Sequence, residues 1–191
     1  MILSSSEGRG DARERLLARL LDAFGVDLPS PEVSLREIAA RAGTSHALLR
    51  YHFGSLSGVL AAMLGQQRSR DNARLIEAAR HGTFDDLVVA IWRAYLRPEQ
   101  LSRARAFFHV VGLAAHRPEE FREFIASLDD LTGLLASLAE REGLGAEAAL
   151  TTATVTIAAL RGLLLQEVLT PGAHSDGAAD AVALILRMRR S

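Results

Sequence analysis

The sequence predicts an all-α protein, and three observations carry that prediction. Apolar residues recur at helical spacing along most of the chain, and no segment shows the strict alternation of a half-buried strand. Glycine, proline and cap-forming hydroxyl residues stand where the apolar runs begin and end. At 191 residues, 49% hydrophobic and 24% charged, the chain is long enough for a sizeable core, or for a small domain attached to a larger one.

Taken in order, residues 1–10 are expected to be disordered, and a first helix runs from Asp11 to Phe24. Leu16, Leu17, Leu20, Leu21 and Phe24 share one of its faces, and Gly25, Pro29 and Pro31 close it off. Residues 34–60 are the most informative stretch. Ser34 can cap the N–H of Glu37 while Glu37 reaches back to Ser34, and Val33 and Ile38 sit at the positions of a hydrophobic staple. Leu35, Ile38, Ala39 and Ala42 then repeat at helical spacing, and Gly43 follows, where a positive φ ends a helix cheaply. Ser45 caps the next short helix, which turns Leu48 or Leu49, and Phe53, inward and leaves His46, Ala47, Arg50 and Tyr51 outward. Ser55 caps a third helix with the apolar face Leu56, Val59, Leu60, Met63 and Leu64. Short helices are marginal alone, so these must fold against one another. Packed together they project one small polar helix face, the arrangement by which a helix-turn-helix reads DNA.

The helix that starts at Ser55 continues unbroken towards Arg80. Thr83 and Asp86 then cap a helix to about Leu96, ended by Pro98. Further helices are expected over 99–115, 118–141, 146–169 and 175–189, which makes nine. Their punctuation is His116-Arg117-Pro118, Gly143 with Gly145, and Pro171-Gly172. The stretch 146–168 is apolar nearly all round and rich in small side chains, so it must be buried on more than one side. One side can be the chain's own core. The other is expected to meet the same two helices of a second copy as a four-helix bundle. Ala149, Ala153, Thr156, Ile157, Leu160 and Leu164, with Ala178, Val182 and Ile185 of the last helix, are the candidate dimerisation residues.

Charge and composition exclude much. All 22 basic residues are arginine, the net charge is −1, and the first 58 residues balance seven arginines against seven acids. DNA binding must therefore come from local charge placement. The absence of cysteine excludes disulfides, thiolate catalysis and cysteine-ligated metals. His116 and Glu119 have the i, i+3 spacing of metal ligands, but Pro118 lies between them at a helix boundary; no metal and no cofactor is expected. There is no nucleophile elbow, no phosphate-binding glycine loop and no His-Glu-x-x-His, so no enzyme is expected. The N-terminus is too poor in apolar residues for a signal peptide, and no stretch reads as the run of about 18 apolar residues that a membrane span needs. The expected compartment is the cytoplasm.

The stretch Ile38 to Ser45, the spacing of Leu49 to Phe53, and the Gly54-Ser55 pair resemble the helix-turn-helix of the tetracycline-repressor-like (TetR) transcriptional regulators. The motif covers roughly residues 10–65; the remainder is similar in length and in being helical. Several positions depart from the family pattern. Thr44 stands where an apolar residue is usual, and Arg50 where an aromatic residue commonly follows the leucine, with Tyr51 one step later. Leu56 and Ser57 replace a lysine and an acidic residue. The resemblance implies a nine-helix fold with an N-terminal DNA-binding domain, residues 1–60, and a helical ligand-binding and dimerisation domain, residues 61–191.

On that reading His46 and Ala47 lie at the end of the recognition helix that enters the major groove first, and Arg50 can present two donors to a guanine edge. Arg36 matches a family position that reaches bases or phosphates, and Tyr51 and His52 match positions that hold the DNA backbone. Ser45 and Ser55 start helices, where free N–H groups favour a phosphate oxygen. The body is expected to hold a small-molecule cavity lined by Trp92, Tyr95, Phe107, Phe108, Val111 and Phe124, with His109 and Arg161 placed to orient an effector. The function implied is a homodimeric, ligand-responsive transcriptional repressor that binds a pseudo-palindromic double-stranded operator. The alternative is a dimeric helical ligand-binding protein of the same fold without specific DNA reading, motivated by the near-neutral head and by Leu56.

Overall fold

A computed structural model describes residues 4–25, 28–30, 32–95, 101–171 and Val182. Every regular element among them is a helix: α1 (Ser4–Phe24), α2 (Leu35–Arg41), α3 (His46–Phe53), α4 (Leu56–Ala79), α5 (Phe84–Tyr95), α6 (Leu101–His116), α7 (Arg122–Ala126), α8 (Asp130–Arg141) and α9 (Ala146–Leu169). Two expectations need correction, and a third falls outside the described residues. Helix α1 begins at Ser4, so residues 4–10 are helical; nothing in their pattern, with Gly8 and Gly10, explains it. The helix expected over 118–141 is two, α7 and α8, because Leu128 and Asp129 donate to Ile125 and Ala126 in tight turns that break the ladder. The helix expected over 175–189 lies outside the described residues apart from Val182, so the set of nine is not confirmed as drawn.

The chain divides into two compact units, one formed by the residues up to Gln67 with Ala106–Phe124, the other by Arg68–Arg105 with the residues from Ile125 on. The segment 106–124 therefore groups with the helix-turn-helix. The division falls inside α4, which is continuous across it.

In the first unit, Leu16, Leu20, Ile38, Leu49, Val59, Leu60 and Met63 are buried, as the helical spacing requires. Arg13 of α1 pairs with Glu123 at 3.5 Å, and its guanidinium lies 5.3 Å from the Phe53 ring centre. Phe107 packs against Phe108 and Phe124, with ring centres 5.2 and 6.0 Å away.

The second unit is organised by α8 and α9. Helix α8 ends in a Schellman turn: Gly143 takes φ +100°, its N–H donates to the Glu140 carbonyl, and the Leu144 N–H donates to Ala139. That short connection makes the two helices antiparallel neighbours. The small residues Ala139, Ala149 and Ala153 line their packed faces, together with Leu131, Leu135, Ile157 and Leu160, and Phe84, Leu87, Val88 and Ile91 of α5 complete the core. Thr83 and Asp86 form the expected reciprocal cap of α5, at 3.0 and 3.1 Å. The Thr83 N–H and then the Thr83 hydroxyl, both donating to the Asp86 carboxyl, hold it below the usual carboxylate range.

Helix α9 also corrects the expectation about membrane-length segments. By length and composition it is apolar enough to cross a membrane, its most apolar window reaching a mean hydropathy of 1.6. The interspersed threonines and Arg161 interrupt the apolar run without lowering its average much. One side of α9 is nevertheless committed to the core of its own unit.

Candidate nucleic-acid interface

The helix-turn-helix is built from caps that the sequence specifies. The Ser34 hydroxyl accepts from the Glu37 N–H at 3.3 Å, and a Glu37 carboxylate oxygen accepts from the Ser34 N–H at 2.8 Å. The Ser34 hydroxyl also donates to that carboxylate at 2.6 Å, and this bond, followed by the one from the Ser34 N–H, favours the charged form and lowers the pKa of Glu37. Helix α2 ends in a second Schellman turn: Gly43, at φ +61°, donates to Ala40 and Thr44 donates to Ala39. Thr44 thus serves the turn through its backbone N–H, whatever its side chain. Ser45 then caps α3 through the Leu48 N–H at 3.1 Å, and Ser55 caps α4 through the Gly58 N–H at 3.1 Å. Helices α3 and α4 meet at 69°.

Arginines from α1 and α2 tie this module together. Arg19 donates to the Gly43 carbonyl at 2.8 Å, and Arg41 donates to the Ala23 carbonyl at 3.1 Å while lying 4.3 Å from the centre of the Phe24 ring. Gln67 donates to the Gly25 carbonyl at 3.0 Å. None of these roles was read from the sequence; the only signal was a polar residue recurring beside an apolar face.

Arg36 and Arg50 behave differently. Both are exposed, and among the described residues no ion pair or hydrogen bond holds either guanidinium. Ala47, Tyr51, Ser45 and Ser55 are exposed as expected, with Tyr51 64% exposed. His46 is only half-buried rather than outward, because its position on α3 leans towards the buried side of Leu49. His52 is also half-buried and stands edge-on to Tyr51, with ring centres 4.9 Å apart. The choice left open between Leu48 and Leu49 resolves clearly: Leu49 is fully buried and Leu48 is 40% exposed. The Ser45 and Ser55 hydroxyls each accept one cap bond and keep an O–H to donate, which suits a phosphate oxygen.

The aromatic residues expected around one cavity are divided between the units. Phe107, Phe108, Val111 and Phe124 belong to the first, where Phe107 and Phe124 are buried and Phe108 and Val111 half-buried. His109 is exposed, so it is not the polar group within an apolar environment that its neighbours suggest; it falls on the outer side of α6. Trp92, Tyr95 and Arg161 belong to the second unit. Trp92 and Tyr95 pack against its core, and Arg161 donates to the Leu128 carbonyl at 2.7 Å. Burial disfavours the Arg161 charge and pushes its pKa down, as it does for Arg68, which donates to the neighbouring Ser127 carbonyl at 3.0 Å. The Tyr95 hydroxyl and the Asn72 carbonyl oxygen are buried with no hydrogen-bond partner among the described residues, and burial raises the Tyr95 pKa. Arg68 and Asn72 were missed because α4 reads as polar over much of its second half.

The described candidate dimerisation residues lie on the inner side of their own chain. Ala149, Ala153, Thr156, Ile157, Leu160 and Leu164 are all buried within the chain, and Val182 joins the same core. Ala178 and Ile185 lie outside the described residues. The spacing of the six is that of one helix stripe, but a helix apolar on both sides does not reveal which stripe its own core takes. The opposite stripe of α9 is the open one: Leu150 (55% exposed), Thr154, Val155, Ala158, Gly162, Leu165 and Leu169 (70%).

The described chain is therefore an all-α protein that carries a capped helix-turn-helix. No family model matches it, and no curated protein matches it in sequence. Solved structures do match over nearly its whole length. A transcriptional regulator from Rhodococcus sp. RHA1 has a TM-score of 0.70 at 24% identity, covering 92% of this chain and 94% of its own. A protein from Mesorhizobium loti described as a TetR-family transcriptional regulator has a TM-score of 0.62 at 15% identity, covering 94% and 97%. FadR from Bacillus subtilis, a transcriptional regulator solved with stearoyl-CoA, has a TM-score of 0.54 at 10% identity, covering 90% and 96%. These structural neighbours are transcriptional regulators, one of them described as TetR-family, and this chain has their fold.

Proposed function

We propose that the chain is a homodimeric, ligand-responsive transcriptional regulator, a repressor that binds a pseudo-palindromic DNA operator through α2 and α3. The observation that carries this reading is the division of labour among the arginines of the head. Arg13, Arg19 and Arg41 are bound to other groups of the first unit, whereas Arg36 of α2 and Arg50 of α3, like Arg15 of α1, are exposed with no partner among the described residues. A near-neutral head suffices if its free charge is concentrated where the DNA lies. Arg50 then reads a guanine edge, Arg36 and Tyr51 hold register, and the Ser45 and Ser55 hydroxyls donate to phosphates.

The remaining roles follow the same proposal. The second copy docks on the open stripe of α9, where Ala158 and Gly162 permit close approach and Leu150, Val155, Leu165 and Leu169 supply apolar area. Two heads then meet successive major grooves about one turn apart. A small, mostly apolar effector binds in the body, with the orphaned Tyr95 hydroxyl and Asn72 oxygen available to orient it, and α4 transmits its presence. Coupling requires unequal binding to two states, and typical couplings of about 1–3 kcal/mol change affinity by roughly 5–150-fold. A protein that reads an operator in this way acts in the cytoplasm, where the DNA is. The equal count of arginines and acids in the first 58 residues favours the alternative of a ligand-binding protein without specific DNA reading. Selection of bound sequences from a random DNA pool decides between them. An enriched palindromic site supports the regulator, and a pool that yields no enriched sequence supports the alternative.

A further inference from the structure

Leu48 has no role in the core, yet it occupies the first turn of the helix that the DNA reading places in the major groove. At about 100° per residue, the exposed arc of α3 carries Arg50, Ala47, Tyr51 and Leu48 in angular order, opposite the buried Leu49. A single exposed leucine on a protein surface is ordinary. This one stands at the opposite edge of the arc, about 160° round the helix, from a guanidinium that no other described residue engages, with Tyr51 and the small Ala47 between them. A leucine side chain can neither donate nor accept a hydrogen bond, so phosphates and polar base edges gain nothing from it. The one apolar group displayed in the major groove of B-DNA is the thymine C5-methyl.

We propose that Leu48 is a specificity-determining residue that contacts the 5-methyl group of one thymine in each operator half-site, while Arg50 reads a guanine in the same half-site. The inference rests on α3 being the recognition helix and adds the base that its apolar flank selects. The test uses the full-length protein and the operator recovered from a random pool. Each thymine is replaced in turn by deoxyuridine, which keeps every donor and acceptor and removes only the methyl. The expected result is one thymine per half-site at which the replacement weakens binding about fourfold, and about fifteenfold when both half-sites are changed. Leu48→Ala should bind the unmodified operator about as weakly as the unsubstituted protein binds the doubly replaced one, and should no longer respond to deoxyuridine. If Leu48→Ala melts early, Leu48→Gln keeps the length of the side chain and serves instead. An operator at which no thymine responds, or a response that persists in the Leu48 variant, overturns the inference while leaving the DNA reading intact. A pool with no enriched sequence overturns both.

Discussion

The turn between α3 and α4 depends on a glycine that ordinary helix propensity would replace. Gly58 is the third residue of α4, and a Cβ built on it would lie 2.0 Å from the Phe53 carbonyl oxygen and 3.1 Å from its carbon. Carbon–oxygen contacts are tolerated from about 3.3 Å, so something must move by more than about 1 Å, and the obstacle is backbone. Opening the turn strains the hydrogen bond from the Ser55 N–H to Phe53, at 2.8 Å, and the cap from the Gly58 N–H to Ser55, at 3.1 Å. Two such bonds contribute roughly 1 kcal/mol each, and overpacking typically adds about 1–3 kcal/mol. The propensity gain from Gly to Ala is at most about 1 kcal/mol. Gly58→Ala should therefore destabilise by about 2–4 kcal/mol and lower the melting temperature by about 4–16 °C. Gly65 provides the matched control in the same helix, because a Cβ there meets nothing within 4 Å. Gly65→Ala should raise the melting temperature by about 1–4 °C. Calorimetry at one fixed protein concentration reads both. If Gly58→Ala melts at or above the unsubstituted protein, the geometry assigned to the turn is wrong.

Three further outcomes are expected. Ala153→Glu buries a charge against α8 and should leave the chain unfolded by circular dichroism, whereas Ala158→Glu on the open stripe should keep helicity and give monomers in sedimentation. Dimers that survive Ala158→Glu would move the interface off α9. The folded-state pKa of Glu37 is lowered, so the capping box contributes stability that is present above the ordinary glutamate pKa of about 4.3. That contribution is lost as pH falls through the folded value; Ser34→Ala should remove about 1 kcal/mol at neutral pH and flatten the acid limb of the stability curve. Arg19→Ala, which removes the bond to the Gly43 carbonyl, should speed hydrogen exchange at the Gly43 and Thr44 amides, and unchanged exchange would deny it that role.

The parts legible in the sequence were those where one local rule acted alone. Ser34 with Glu37, Gly43, Ser45 and Thr83 with Asp86 declare their caps because only those residue types in that order satisfy the exposed helix-end groups. Leu16 to Phe24 and Ile38 to Ala42 declare their inner faces because their other faces are polar. Where both faces are apolar, pattern is silent. Ala153 and Ala158 look alike on the sequence of α9, and only the packing of α8 decides that the first is buried and the second open. The break between α7 and α8 was hidden for a related reason, since Ser127 and Leu128 carry no glycine or proline to announce it. Long polar side chains were the other blind spot. Arg19, Arg41, Arg68 and Gln67 reach carbonyls distant in sequence, and such pairings exist only once the helices are placed.

The claim that α3 reads DNA is tested most directly through Arg50. Affinity of the unsubstituted protein and of Arg50→Ala should be measured by titration on the selected operator and on random DNA, at one fixed salt concentration because phosphate contacts make binding salt-dependent. A guanidinium that reads a base predicts a loss of about 1–3 kcal/mol per half-site on the operator, relaxed preference at one position of each half-site, and nearly unchanged binding to random DNA. Equal losses on both DNAs would make Arg50 a phosphate contact, and no loss on either would contradict the recognition face assigned to α3.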